Sequence, residues 1–476
     1  MDRNNNVVNP IIQLLTEEQI KRVHDYSVDI LENVGIKVES KKAREVFARS
    51  GAVKIDDDLV YIQRDLVDHT IKTARSEINI YDQEGALAFQ LGEGHMTRFG
   101  LGVTNTNYQD IETDQIEKFT RKHMQTSVKL GDMLGNFDMI STIGIPSDVQ
   151  IETLDLVNTL DLYANTSKPI VILVSEGKKM EDVYKLLISL HGDISTRPFV
   201  ITYLNPITPL ILNEETTDKI FVSIEYGLPI SFSNYSMYGG TSPMTEGGTL
   251  SLLNAELLSG LVFSQLIKEG TPMILGSLPA AFNMSTMGSY YSTSSYLLNI
   301  ACAEIMSYYQ IPHCGTSGSG IGFGPDLLAS GDLWLNHLTS CLGKVGMAPF
   351  VGGNLDSTAF SPTTVVMSDY IIGKSRKLAE GFVLNDNSVD LNEMKTIGHG
   401  GNYLTSSQTL EALRDLNHSN SIWPSMNFKT WQQQGNPTPI KMLRDFTKRL
   451  HEQASRPNNE IEEIIKKGED IIRLLV

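Results

Sequence analysis

The residues best placed to do chemistry stand where short, strand-like apolar runs stop. They are Asn105, Thr106, Asn107, Pro146, Ser175, Asn205, Asn234, Tyr235, Ser277, Thr316, Ser317, Asn354 and Asp356. The set is neutral and rich in amides, it has no Lys or Arg, and Asp356 is its only carboxylate. That argues against a Schiff-base lysine and against paired-carboxylate acid–base work. Metal chemistry finds little support. His451-Glu452 opens an H-E-x-x-H pattern, but Ser455 stands where the second His belongs. His313 and Cys314 are adjacent, and no nearby Cys or His completes a tetrahedral set. The expected metal site is none, and the pair reads as buried strand residues.

Two further features lie near the same ends. The run Gly315–Gly324 is the richest in glycine, but Phe323 breaks the G-x-G-x-x-G spacing counted from Gly318. With Gly352 and Gly353 it reads either as a tight loop or as a barrel phosphate site after strands seven and eight. Phe99, Tyr108, Tyr235, Tyr238, Phe282, Phe323 and Phe360 gather there too. Ring faces attract a quaternary ammonium, which cannot donate a hydrogen bond. Packing is the plainer reading of any single ring.

The elements that must position these residues follow from periodicity. Eight β-rich runs begin near Arg98, Phe137, Lys168, Arg197, Leu228, Thr271, Ile311 and Ala348. Four start with an X-Pro step (Pro169, Pro198, Pro272, Pro349), a position that suits the first residue of a strand. Amphipathic stretches such as EDVYKLLISLHG lie between the runs, and Gly227, Gly270 and Gly346 stand where helix caps belong. Eight such units predict an α/β fold, a (β/α)8 TIM barrel over residues 97–388, in preference to an open doubly wound sheet. Residues 1–96 form an N-terminal extension of helices and small strands. It opens with a Thr16–Gln19 capping box and a stop at Gly35, followed by a helix through Ser40 to Ser50 and strands at Leu59–Gln63 and Ile78–Tyr81. Residues 389–476 form a charged helical segment, expected to pack on the barrel or on a second subunit of a homo-oligomer.

Composition narrows the partners. The net charge of -17 repels phosphates and anionic lipid, so neither nucleic acid nor membrane is an expected partner. The three cysteines are widely spaced and the N-terminus has no apolar signal core, so a cytoplasmic setting without disulfides is expected. The apolar stretches are short and interrupted by Pro and Gly, which argues against a membrane span.

The segment Gly239–Ser277 resembles the trimethylamine:corrinoid methyltransferase family. So do HDYSVDILENVGIKVES near the N-terminus, VGGNLDSTAFSPTTVVMSDYIIGKSRKLAEG, and IGHGGNYL from Ile397. The likeness keeps family order along nearly the whole chain. It implies a barrel that moves a methyl group from an amine to Co(I) of a separate corrinoid protein. Trimethylamine-using members carry pyrrolysine and this sequence has none, so it resembles the branch that demethylates quaternary amines. Glycine betaine is the first-choice substrate, with proline betaine and carnitine as further candidates. The corrinoid, cob(I)alamin in a cognate partner protein, would be supplied from outside. No cofactor would be held tightly, since this chain has no Asp-x-His-x-x-Gly motif.

Such a reaction needs no general acid, because a quaternary nitrogen already carries the charge that makes it a leaving group. The protein must position the methyl and exclude water. Phe282, Phe323, Tyr235 and Phe360 are the expected cage rings, and Asn105, Asn234, Thr316 and Asn354 the expected carboxylate partners. These assignments rest on strand-end position. His399, in GHGGNYL, stands where pyrrolysine members are expected to carry Pro, and with Arg98 it is a further candidate for a substrate carboxylate. The rival functions are a phosphate-binding barrel enzyme of another reaction class and a non-catalytic betaine-binding protein.

Overall fold

The computed structural model describes residues 6–102, 104–316, 318–416 and 422–476. Each of the eight predicted runs forms a strand of one closed sheet. The strands are β1 (Arg98–Leu101), β2 (Met139–Ser141), β3 (Ile170–Ile172), β4 (Val200–Leu204), β5 (Ile230–Tyr238), β6 (Met273–Asn283), β7 (His313–Cys314) and β8 (Met347–Val351). Their order is β5-β4-β3-β2-β1-β8-β7-β6, and a parallel β5–β6 pairing closes the ring. The eight helices that follow them are α1 (Arg121–Met133), α2 (Leu154–Asn165), α3 (Gly177–His191), α4 (Glu214–Glu225), α5 (Glu246–Ile267), α6 (Thr293–Tyr309), α7 (Leu327–Leu342) and α8 (Pro362–Glu380). The fold is therefore a (β/α)8 barrel.

Three of the prolines stand just before or between their strands, as expected. Pro349 differs: it lies inside β8, where the pairing with β1 shifts register between Ala348 and Val351. A bulge is the one interior position that tolerates the missing N–H. Gly227 and Gly270 take positive φ after α4 and α5. Gly346 does not cap a helix; α7 is capped by Gly343, and a Cβ at Gly346 would meet the His313 carbonyl at 2.5 Å.

The lumen is packed, with Met139, Val171, Ile201, Ile274, Cys314 and Met347 filling it. At its N-terminal end the hairpin Glu77–Tyr81/Leu87–Gly92 contributes Ile78, Ile80, Phe89 and Leu91 to the same cluster. The hairpin is anchored by Tyr81 N donating to Pro198 O at 3.0 Å. The extension thus plugs one end of the barrel and leaves the other for chemistry. Gly276 shows how tight the wall is: a Cβ there would sit 2.3 Å from Ser233 Oγ and 2.7 Å from Cys314 O.

In the extension, the Thr16–Gln19 capping box opens the helix Glu17–Asp29, and Gly35 ends the turn that follows it. At the far end, the helix Asn459–Leu475 packs on the barrel through Gly468, directly against Leu160 of α2. Arg121 of α1 links three elements. Its Nε and Nη2 bind the fully buried Asp161 of α2 at 2.8 and 3.0 Å, and its Nη1 binds Glu469 at 2.6 Å. One described helix, α5, is long and apolar enough to cross a membrane; 89% of its most apolar window is buried in the barrel wall.

Buried titratable groups make the fold sensitive to acid. His337 of α7 packs edge-on to Phe99 at 5.1 Å, and both ring nitrogens are buried without partners. Burial first, and Arg376 second, pull its pKa from 6.5 down to about 3. The folded form therefore resists protonation that the unfolded chain accepts. The stability present above pH 6.5 is lost as pH falls toward 3. At pH 5 this amounts to about 2 kcal/mol. Urea unfolding at pH 7 and pH 5 is expected to show the wild type losing about 2 kcal/mol more than His337→Leu. Equal losses would show that His337 titrates normally in the fold. Glu256, which burial raises to about 7, is common to both proteins and cancels in the comparison.

Candidate active site

Strands β5 and β6 run past the barrel rim, paired without a break from Ile230–Met273 to Tyr238–Ala281. β6 then folds back on itself, pairing Phe282 with Ser289 and Ala281 with Tyr290. This hairpin brings Ser289, Tyr290 and Tyr291 to a cavity of about 270 Å³, which Gly320, Asp332 and Asp356 also line. The volume is near the lower end for ligand cavities, roughly 300–1,000 Å³. In the lumen, Tyr203 of β4 meets Phe350 of β8 edge-to-face at 4.7 Å.

The loops after β7 and β8 are locked together. Asp356 N donates to Gly320 O at 3.0 Å, Leu355 N to Gly322 O at 3.0 Å, and Gly320 N to Gly353 O at 2.8 Å. Leu355, Asp356 and Ser357 all have positive φ, at 53°, 56° and 58°. Left-handed backbone costs L-residues roughly 1–2 kcal/mol each, and such strain concentrates at functional sites. The turn fixes Asp356, whose Oδ1 accepts from Ser289 Oγ at 2.8 Å. The Gly320 amide is thereby engaged within the protein, which removes one donor from the glycine loop as a phosphate cradle.

The site's electrostatics favour a cation. Among the described residues no Lys, Arg or His lines the cavity, whereas Asp332 and Asp356 do. Burial raises the Tyr291 phenol to about 12, against a hydrogen bond with Thr316. Burial also raises Tyr235, with a further push from the charge of Asp356 and an opposing bond to Ser289. Both phenols are neutral near pH 7, so their electron-rich faces are intact. Burial lifts the Cys314 thiol in the lumen to about 12, which removes it as a nucleophile. Among the described residues no group of His, Cys, Asp and Glu could hold a metal.

The sequence-predicted residues divide. Tyr235 reaches the mouth beside Ser289 and Asp356, and Thr316 reaches it through Tyr291. Phe282 lies on the hairpin that carries Ser289, with its ring directly over Gly240. The others are elsewhere or already engaged. Phe360 is 0% exposed and packs among Tyr108, Phe119 and Gly352, so no ligand reaches it. Phe323 is 71% exposed and lines a different cavity, of about 670 Å³, against Trp423 and Leu443. Asn234 sits in the barrel wall, not at its end. Its Nδ2 donates to Leu253 O and Glu256 Oε2, and its Oδ1 accepts from Ser277.

Asn105 donates to Ile143 O, and Asn354 donates to Thr364 Oγ1 and Gln109 Oε1; both are fully buried. His399 is exposed in the turn after the helix Leu391–Ile397. Arg98 is at the opposite end of β1, paired with Asp138 at 3.1 Å. Ser317 lies outside the described residues. The sequence reading missed Ser289, Tyr291, Tyr203 and Phe350. The apolar run from Thr271 to Phe282 was the available signal, since it is longer than a barrel strand needs.

The fold and its mouth thus define a (β/α)8-barrel protein whose candidate site lies in the loops at the C-terminal strand ends. The chain belongs to the trimethylamine methyltransferase (MTTB) family, whose sequence pattern matches residues 2–466. It is 25% identical to the trimethylamine methyltransferase MttB of Desulfitobacterium hafniense, over 92% of this chain and 88% of that one. It is also 25% identical to a glycine betaine methyltransferase of the same species, over 89% of each chain. Among solved structures, the monomethylamine methyltransferase of Methanosarcina barkeri aligns over 95% of this chain and 98% of its own. Its TM-score is 0.47 and its identity 10%.

Proposed function

We propose that this protein transfers a methyl group from a quaternary amine to Co(I) of a separate corrinoid protein. The observation that carries this reading is the mouth itself: neutral rings and a fixed carboxylate, with no Lys, Arg or His lining the cavity among the described residues. In the transfer, the Co(I) electron pair forms a bond to the methyl carbon. The C–N bond breaks with its electrons staying on nitrogen, and a neutral tertiary amine leaves. No proton moves, so the site needs no acid or base.

The protein's part is to bind, orient and exclude water. Tyr235 and Tyr291 present faces to the ammonium, a contact worth about 0.5–2 kcal/mol per ring. Thr316 orients Tyr291, and the hairpin plug keeps water out of the lumen from below. The likeness to a glycine betaine methyltransferase puts glycine betaine among the candidate substrates, with proline betaine and carnitine. Three buried, unpaired cysteines suit a cytoplasmic setting.

The test is to mix the protein with a reduced corrinoid protein and quaternary amines. The expected result is conversion of the Co(I) spectrum to that of methyl-Co(III), with one tertiary amine released per transfer. No change with tetramethylammonium, choline, glycine betaine, proline betaine or carnitine would sink the reading.

A further inference from the structure

The mouth distinguishes two kinds of quaternary amine. A betaine brings a carboxylate as well as an ammonium, and that carboxylate needs a cation or several free donors. A carboxylate-free ammonium, such as choline or tetramethylammonium, needs only rings and negative charge. Here the described residues of the cavity offer two carboxylates, Asp332 and Asp356, and no Lys, Arg or His. Two of the cavity's donors are already engaged within the protein. Ser289 Oγ donates to Asp356, and Gly320 N donates to Gly353 O. The backbone of Asp356 is held in a left-handed turn by its N–H bond to Gly320 O, and its carboxylate by the Ser289 hydroxyl.

A second observation concerns the wall behind the cavity. Tyr296 stacks on Tyr291 with ring centroids 6.5 Å apart, and it is only 5% exposed. Its hydroxyl is buried with no hydrogen-bond partner among the described residues. Buried hydroxyls are normally satisfied, so this one marks an unmet polar group one ring behind the cavity wall.

We infer that the mouth selects quaternary ammonium cations without a carboxylate, with Asp356 as the residue that sets this specificity. The inference rests on the quaternary-amine reading and narrows it. It ranks choline and tetramethylammonium above glycine betaine, whose carboxylate would enter a site of like charge. Juxtaposed like charges discriminate strongly between partners.

Binding measures this without any corrinoid partner. Isothermal titration of the full chain with tetramethylammonium, choline and glycine betaine gives the ratio directly. The expected result is that both cations bind at least about 100-fold more tightly than glycine betaine, the scale of a like-charge clash. Asp356→Asn keeps the residue's shape, its fit to Ser289 and its tolerance of positive φ. It is expected to shrink that ratio to under about tenfold. Glycine betaine binding as tightly as the cations in the wild type would overturn the inference and leave the quaternary-amine reading standing. An unchanged ratio in Asp356→Asn would remove Asp356 from its role. Failure of all three to bind would overturn both.

Discussion

Gly320→Val is expected to lower kcat/KM for methyl transfer by roughly 100-fold, the cost of displacing a reacting group by about 1 Å. Gly320 has φ +95°, where a side chain is strained in any case. A Cβ would sit 2.9 Å from Ser357 Oγ and 3.1 Å from Ser357 N, and the second contact is backbone that cannot rotate aside. The turn that carries Asp356 would have to move off the glycine loop. The barrel core lies elsewhere, so the thermal midpoint should change little. Steady-state kinetics beside a melting curve would check both halves. Full activity in Gly320→Val would mean that the alignment of the two loops does not matter to catalysis.

Arg121→Met should cost about 3–5 kcal/mol of folding stability, the typical penalty for stranding a buried charge. Asp161 is fully buried, and Arg121 and Gln125 are its side-chain partners. Burial already raises the Asp161 pKa despite Arg121, so without the guanidinium the carboxylate would be left largely uncompensated. The same change cuts the tie to Glu469, and with it one link between the C-terminal helix and α1. Denaturant unfolding measures the loss. The double variant Arg121→Met/Asp161→Leu should recover much of it, because replacing both partners of a buried pair by apolar groups is often close to neutral. A loss under about 1 kcal/mol would mark the pair as an ordinary surface salt bridge.

The barrel could be read from the chain because strand runs and helical stretches alternate with a strong period, and proline marks three strand starts where expected. The site was harder to read for a definite reason. A sequence run shows that a strand exists but not how far it extends past the ring. Asn234 and Ser277 seemed to end their strands. The structure continues β5 to Tyr238 and β6 to Asn283, so these two residues pair across the wall. The residues beyond them form the mouth. Tyr291 arrives by an antiparallel return that no local pattern announces. Phe360 looked like a cage ring, but its placement depends on contacts with Tyr108 and Phe119, which are distant in sequence. What the residues did show was the shortage of acids, bases and metal ligands at the strand ends. The structure adds Asp332 to the mouth beside Asp356, the one carboxylate the strand ends had offered, which occupies its strained turn.

The central claim is that the mouth between the β5, β6, β7 and β8 loops holds a methylated ammonium. A crystal structure with tetramethylammonium, the simplest methylated quaternary ammonium, tests it most directly. The cation is expected within about 6 Å of the Tyr235 and Tyr291 rings and on the Asp356 side of the cavity. The cation bound instead at the opposite end of the barrel, in the crevice lined by Gly92, His313 and Gly346, with the mouth vacant, would contradict it.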